Sequence, residues 1–365
     1  MVVIKSPGTY MQAPGILHDI GVHLKPLGNN FLFLCRQGRW NKVNEPIIES
    51  MAREKITWEY EEFENECCYP AMEKAASRLK AGRFDGLVAI GGGKACDTGK
   101  GAAYRGGVKS IIIPTTAASD APCSGSAVVF SPEGVPDSIE RYPSNPALVL
   151  VDSQIIANAP VIYLISGMGD AVATFFEARI HHDYQILTQR GFAASLTSYS
   201  LAEACYKILM RYGRGAISAV QSHTVDESLE MVIEANIFLS CFGFENGGLS
   251  LAHGVQEALS LIPECSKQLH GMRVGFGTLC LLVLEDRDQA EIEETFAFCA
   301  DVGLPVTLDE LGLADDAERK MRQTLTHAMP PGHPVYVMPP GKTIEDLVQA
   351  VMKADSIGRN LKKQH

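Results

Sequence analysis

Residues 86–105 read GLVAIGGGKACDTGKGAAYR, and this stretch decides the fold. The first five are an apolar run of the length and composition of a strand covered on both faces. Three glycines follow at 91, 92 and 93, then Lys94 and a helical pattern of small and apolar residues. Glycines at a strand-to-helix bend let the backbone turn sharply and approach a phosphate, while the helix offers unpaired N–H groups and a positive dipole end. Lys94 adds a cation, so Gly91, Gly92, Gly93 and Lys94 suit a diphosphate. The spacing is not G-x-G-x-x-G, and Ala95 stands where a P-loop would place Ser or Thr on magnesium. A plain tight turn made for packing is the competing reading, with Asp97 a carboxylate favoured by the helix dipole.

Working outward, residues 30–35 (NFLFLC), 57–61 and 110–113 also read as strands, and 40–54, 70–82 and 94–105 as helices. Strand and helix in strict turn imply parallel pairing with helices on both faces, an α/β nucleotide-binding domain. Residues 126–130 and 147–151 are β-rich and resemble a hairpin with a long loop. After Pro160 the texture turns helical, with apolar spacing over 161–182, 191–212, 225–246 and 269–285. The expected division is residues 1–160 for the α/β domain and 161–365 for an all-α domain.

Composition narrows the partners. The 365 residues are 46% apolar and 21% charged, those of a folded globular chain rather than a disordered or fibrous one. With 32 Lys and Arg against 43 Asp and Glu the net charge is −11, which argues against nucleic acid. No run approaches the ~20 continuous apolar residues of a membrane helix. The opening MVVIKSPGTYMQAPG has no basic region followed by an apolar one, so a cytoplasmic location is expected. Ten cysteines without a C-x-x-C, and with Cys67–Cys68 as the only adjacent pair, read as buried free thiols.

Two further features could carry chemistry. The loop IPTTAASDAPCSGS, residues 113–126, has small and hydroxyl side chains and one acid, Asp120, a candidate substrate or proton-transfer group unless it simply faces solvent. Asp170, His253 and His270 offer one carboxylate and two imidazoles, enough for a catalytic metal with an open position. Their separations of 83 and 17 residues carry no local geometry, and His181, His182, His223 and His327 compete for the same role.

Taken in order, GGGKACDTGK, PTTAASDAPCS, NPALVLVD, AP-x5-SGMGDA-x2-T-x2-EAR, IEAN-x2-LS-x2-GFENGGL-x2-AH and HG-x2-V-x-FGTL resemble the glycerol dehydrogenases of the iron-containing alcohol dehydrogenase superfamily. The resemblance runs from SPGTY to GLPVTL and covers nearly the whole chain. It implies an N-terminal Rossmann-like α/β domain with a parallel sheet and an all-α C-terminal domain, the dehydroquinate synthase-like architecture. It also implies oxidation of glycerol, or a related small vicinal diol, to the hydroxyketone with hydride transfer to NAD. Asp170, His253 and His270 stand at the family's metal positions. Iron-binding members carry a His four residues after the Asp; here that residue is Thr174, so three ligands and Zn2+ are expected. Asp120 occupies the position that contacts substrate hydroxyls, which favours a polyol over a 2-oxo acid.

The cofactor set implied is Gly91, Gly92, Gly93, Lys94 and Asp97, with Thr115, Thr116, Ser124, Val128 and Phe130 from the following segment, and Arg36. Relatives usually have an Asp where Arg36 stands, and an Arg there can pair with a 2′-phosphate, which leaves NADP open beside NAD. Gln256 stands where relatives more often have a His near the metal. A homo-oligomer, an octamer by resemblance, is expected. The alternatives are an NADP-linked or 2-hydroxy acid dehydrogenase of the same superfamily, and a dehydroquinate synthase-like lyase. The lyase would need basic residues beside the metal, where Arg179, Lys267 and Arg273 are the main ones on offer.

Overall fold

The computed structural model describes residues 1–64, 66–330, 333 and 335–363. The chain forms two compact units, one of Lys5–Pro160 with Ala219–Ile233, the other of Met1–Ile4, Val161–Ser218 and Glu234–His365.

The first unit alternates strand and helix: β1 (Tyr10–Ala13), α1 (Ile20–Leu24), β2 (Asn30–Cys35), α2 (Gln37–Arg53), β3 (Thr57–Glu62), α3 (Tyr69–Gly82), β4 (Gly86–Gly91), α4 (Gly93–Gly106) and β5 (Lys109–Pro114). β6 (Ser126–Phe130), β7 (Pro136–Arg141), β8 (Leu148–Asp152) and α5 (Ser153–Ala157) follow. Six strands form one sheet in the order β1-β8-β5-β4-β2-β3, and every neighbouring pair is parallel. That is the α/β layering the alternation implied. Gly91 lies opposite Pro114, and the Thr115 amide donates to the Gly91 carbonyl at 2.9 Å, so the triple-glycine bend and the loop after β5 leave the sheet side by side.

The expected pairing of 126–130 with 147–151 is corrected. β6 pairs antiparallel with β7, and β8 enters the parallel sheet between β1 and β5. LVLVD is buried at every position, as a strand covered on both faces must be, whereas PDSIER in β7 has one apolar residue in its interior and gave no strand signal. The sheet's core under α2 is aromatic. Trp40 stacks near Phe33, Trp58 and Tyr60 with ring centroids 5.2–5.5 Å apart.

The second unit is helical: α6 (Val161–Asp183), α7 (Leu196–Gln221), α8 (Glu227–Glu234), a π turn at Ala235–Leu239, α9 (Ser240–Gly247), α10 (Leu251–Ser260), α11 (His270–Leu284), α12 (Gln289–Asp301), α13 (Ala317–Ala328) and α14 (Ile344–Lys362). Most of α8 belongs to the sheet unit, held there by Glu230, whose carboxylate accepts from Ser153 Oγ at 2.6 Å. By length and composition α6 is apolar enough to cross a membrane, contrary to the expectation for this sequence, but 83% of that window is buried inside the protein. A helix packed on all sides is apolar on all sides.

Three glycines bring α6, α10 and α11 almost into backbone contact. A Cβ on Gly169 of α6 would lie 2.1 Å from the Gly271 carbonyl oxygen, one on Gly271 of α11 only 1.7 Å from that of Ser166, and one on Gly277 only 2.2 Å from that of Ala252 in α10. Each contact flanks a residue picked out above: Asp170 follows Gly169, His270 precedes Gly271, and His253 follows Ala252.

Candidate functional site

Asp170 is buried on α6 at 2% exposure, His253 stands in the first turn of α10, and His270 opens α11. His253 Nε2 lies 3.4 Å and His270 Nε2 3.3 Å from the same oxygen, Asp170 Oδ1. One ligand atom from each of the three residues falls within 4.8 Å of the others, which makes this the one such group of acid, His or Cys ligands among the described residues. Tetrahedral ligands held about 2.0–2.1 Å from a metal sit about 3.3–3.4 Å apart, so the Asp–His spacings fit a divalent ion. Desolvation opposes the charge on Asp170, but His270 and His253 outweigh it and hold the carboxyl below its ordinary range. Burial likewise opposes a charged His253, yet Glu177 and Asp170 raise it well above the imidazole range.

Glu177 is the neighbour that sequence reasoning missed. It is fully buried two helical turns after Asp170; its Oε2 meets His253 Nδ1 at 2.8 Å and its Oε1 accepts the amides of Ser250 and His253 at 2.9 and 3.1 Å. The signal was its seven-residue spacing from Asp170, which puts both on one helix face. Thr174, one turn after Asp170, meets Ser240 Oγ at 3.0 Å, and its methyl fills the space beside Gly243, where a Cβ would lie 2.1 Å away. Gln256 bonds to Ser260 Oγ at 2.7 Å within α10.

Three of the four competing histidines are occupied elsewhere. His181 bridges the carbonyls of Ile186 and Leu249, His182 stacks on Tyr199, and His223 faces the Ala157 carbonyl. His327 lies in the last turn of α13. Of the cations a phosphorylated substrate would need, Arg179 is buried against Glu285 and Glu291. Arg273 is tied to the carbonyls of Cys265, Ser266 and Gln268. Lys267 alone of the three is exposed.

In the sheet unit the three glycines divide by role. A Cβ on Gly91 would meet that of Ala95 at 2.6 Å, so packing requires glycine there. Added at Gly92 or Gly93, a Cβ would find nothing nearer than 3.8 Å. Packing therefore does not explain those two, and room at the amino end of α4 suits a diphosphate. Lys94 pairs with Glu66 at 2.6 Å and lies 4.6 Å over the Phe130 ring. Asp97 faces inward, accepts the Val128 amide at 2.9 Å and pairs with the buried Lys100 at 2.7 Å; burial raises its pKa despite that lysine. Lys100, which carried no signal in the sequence, also donates to Ala121 O and Ser124 Oγ at 2.7 and 2.9 Å and so braces the loop after β5. In that loop Thr115 and Ser124 are buried, while Thr116 and Asp120 are partly exposed. Arg36 is exposed at the end of β2 and makes no ion pair among the described residues.

The sequence pattern of the iron-containing alcohol dehydrogenases matches residues 7–153. A glycerol dehydrogenase of Pseudomonas putida is 37% identical over 357 residues, 98% of each chain. The crystal structure of a probable glycerol dehydrogenase from Sinorhizobium meliloti aligns with a TM-score of 0.91 at 36% identity, over 99% of this chain and 100% of that one. That of the glycerol dehydrogenase from Schizosaccharomyces pombe gives 0.93 at 29%, over 100% and 93%. With such identity held from end to end, the chain belongs to the glycerol dehydrogenases of the iron-containing alcohol dehydrogenase family, NAD-linked and metal-dependent oxidoreductases.

Proposed function

We propose that this enzyme oxidises glycerol, or a closely related vicinal diol, to the hydroxyketone, with NAD+ as hydride acceptor and Zn2+ held by Asp170, His253 and His270. The convergence of the three ligand atoms carries the reading, and the named relatives supply the substrate class. A bound Zn2+ supplies Lewis acidity that lets an alcohol lose its proton near neutral pH, and NAD+ supplies the acceptor.

The chain's residues do the rest. Asp170 would bring one negative charge to the ion and the two neutral imidazoles none, so these three ligands alone would leave a divalent ion positively charged and able to favour loss of the alcohol's proton. Thr174 offers a hydroxyl already committed to Ser240, so it adds no fourth protein ligand. Gly92 and Gly93 leave room for the diphosphate, with Thr115, Thr116, Ser124, Val128 and Phe130 flanking the cofactor. Asp120 binds a substrate hydroxyl. The enzyme works in the cytoplasm as a homo-oligomer; ten free, buried cysteines are consistent with a reducing compartment.

The experiment is a panel of glycerol, propane-1,2-diol, butane-2,3-diol and 2-hydroxy acids with NAD+ and NADP+ in parallel, alongside metal analysis of wild type and His253→Ala. NADP+ belongs in the panel because Arg36 is exposed at the end of β2. Diol oxidation lost together with the metal is expected. Full activity in a His253→Ala protein, or turnover confined to 2-hydroxy acids, would overturn the reading.

A further inference from the structure

We propose that Glu177 is a positioning residue for the metal site, fixing which nitrogen of His253 faces the ion; the inference rests on the metal reading above. Glu177 has no exposure to solvent, and a carboxyl group so placed is costly unless every oxygen is used. Its two oxygens have different tasks. Oε1 takes the Ser250 and His253 amides, N–H groups at the start of α10 that the helix itself leaves unsatisfied. Oε2 takes His253 Nδ1 at 2.8 Å, which leaves Nε2 turned to Asp170 at 3.4 Å. A metal-binding imidazole needs its proton on the nitrogen away from the ion, and a carboxylate accepting that proton's hydrogen bond sets both tautomer and ring orientation.

Glu177→Gln separates this role from plain support of α10. The amide oxygen would stay with the two backbone donors, since turning it would leave both without an acceptor. The NH2 group then faces Nδ1 and donates to it, which moves the ring proton onto Nε2, the nitrogen the metal needs. Helix support survives and metal binding suffers.

The test measures Zn2+ affinity by chelator competition, the visible spectrum of Co2+ bound in place of zinc, and the unfolding midpoint of the metal-free protein, for wild type and Glu177→Gln. The expected result is a Zn2+ dissociation constant raised about 10–100-fold, an altered Co2+ spectrum and an unchanged midpoint. Zn2+ affinity within about threefold of wild type would overturn the inference, and so would an affinity loss accompanied by a matching fall in the metal-free midpoint, since that is a structural effect. A wild-type chain that binds no Zn2+ would fell the metal reading and this inference together; the other two results fell the inference alone.

Discussion

Gly271→Ala tests whether the helix crossing builds the metal site. The new Cβ would stand 1.7 Å from the Ser166 carbonyl oxygen, against about 3.3 Å for an ordinary carbon–oxygen contact. The obstacle is backbone, with no rotamer to relieve it, so α6 and α11 must separate by about 1.6 Å, the difference between those two distances. Applied to the 3.3 Å between Asp170 Oδ1 and His270 Nε2, that shift opens the pair towards about 5 Å, wider than one ion with bonds near 2.0–2.1 Å can span. Overpacking costs about 1–3 kcal/mol, and at about 2–4 °C per kcal/mol for a unit of this size the upper end lowers the midpoint by roughly 6–12 °C. Gly275→Ala is the internal control. Its Cβ would meet Gly169 and Leu304 at 3.4–3.6 Å, ordinary contact, so the same helix gains alanine's propensity without strain. The assay is calorimetry of the metal-free proteins with Zn2+ affinity measured alongside. Wild-type affinity and midpoint in Gly271→Ala, or equal damage from Gly275→Ala, would refute the argument.

The remaining predictions concern the sheet unit. Gly92→Ala, with nothing within 3.9 Å of the added carbon, should leave the unfolding midpoint unchanged and weaken NAD+ binding in a titration; unchanged NAD+ affinity would return the triple glycine to a simple turn. Asp97→Asn leaves Lys100 charged and buried without its carboxylate, a loss of about 3–5 kcal/mol readable as a lower denaturant midpoint. Glu140, held below the usual glutamate range chiefly by its bond from Arg105, stabilises the fold above its ordinary pKa of 4.5, and that contribution fades as pH falls through the lower folded value. The midpoint gap between wild type and Glu140→Gln should therefore be present at neutral pH and close in acid; a gap that widens on acidification would contradict the sign.

Much of this was legible in the chain because each signal was local. Strands β2 to β5 and the helices between them announce themselves as short apolar runs and amphipathic intervals, and the triple-glycine bend sits where a strand must become a helix. β6 and β8 misled because an antiparallel pair was expected of two apolar neighbours, whereas β6 pairs with the polar β7 and β8 needed parallel partners far away in sequence. α10, only ten residues long, and the C-terminal helices α12 to α14 were not resolved as elements, α13 and α14 being more polar. The three candidate metal ligands were nameable through their motifs, yet no spacing rule reaches across 83 residues. What joins them is a set of backbone approaches between helices, visible only when Gly169, Gly271 and Gly277 are placed against carbonyl oxygens. Lys100 and Glu177 were hidden for a related reason: what Lys100 braces in the loop after β5, and what Glu177 holds on α10, lie far from them in sequence.

The aromatic nest beneath α2 has a practical corollary. Trp40 and Trp58 are the only tryptophans in the chain, and both are packed in the sheet unit, 5.5 Å apart between ring centroids. Intrinsic fluorescence therefore watches the melting of that half alone, while far-ultraviolet circular dichroism is weighted towards the helices of the other half. If the halves come apart at different temperatures, the two optical traces will separate, and damage confined to the helical half will be silent to the tryptophans.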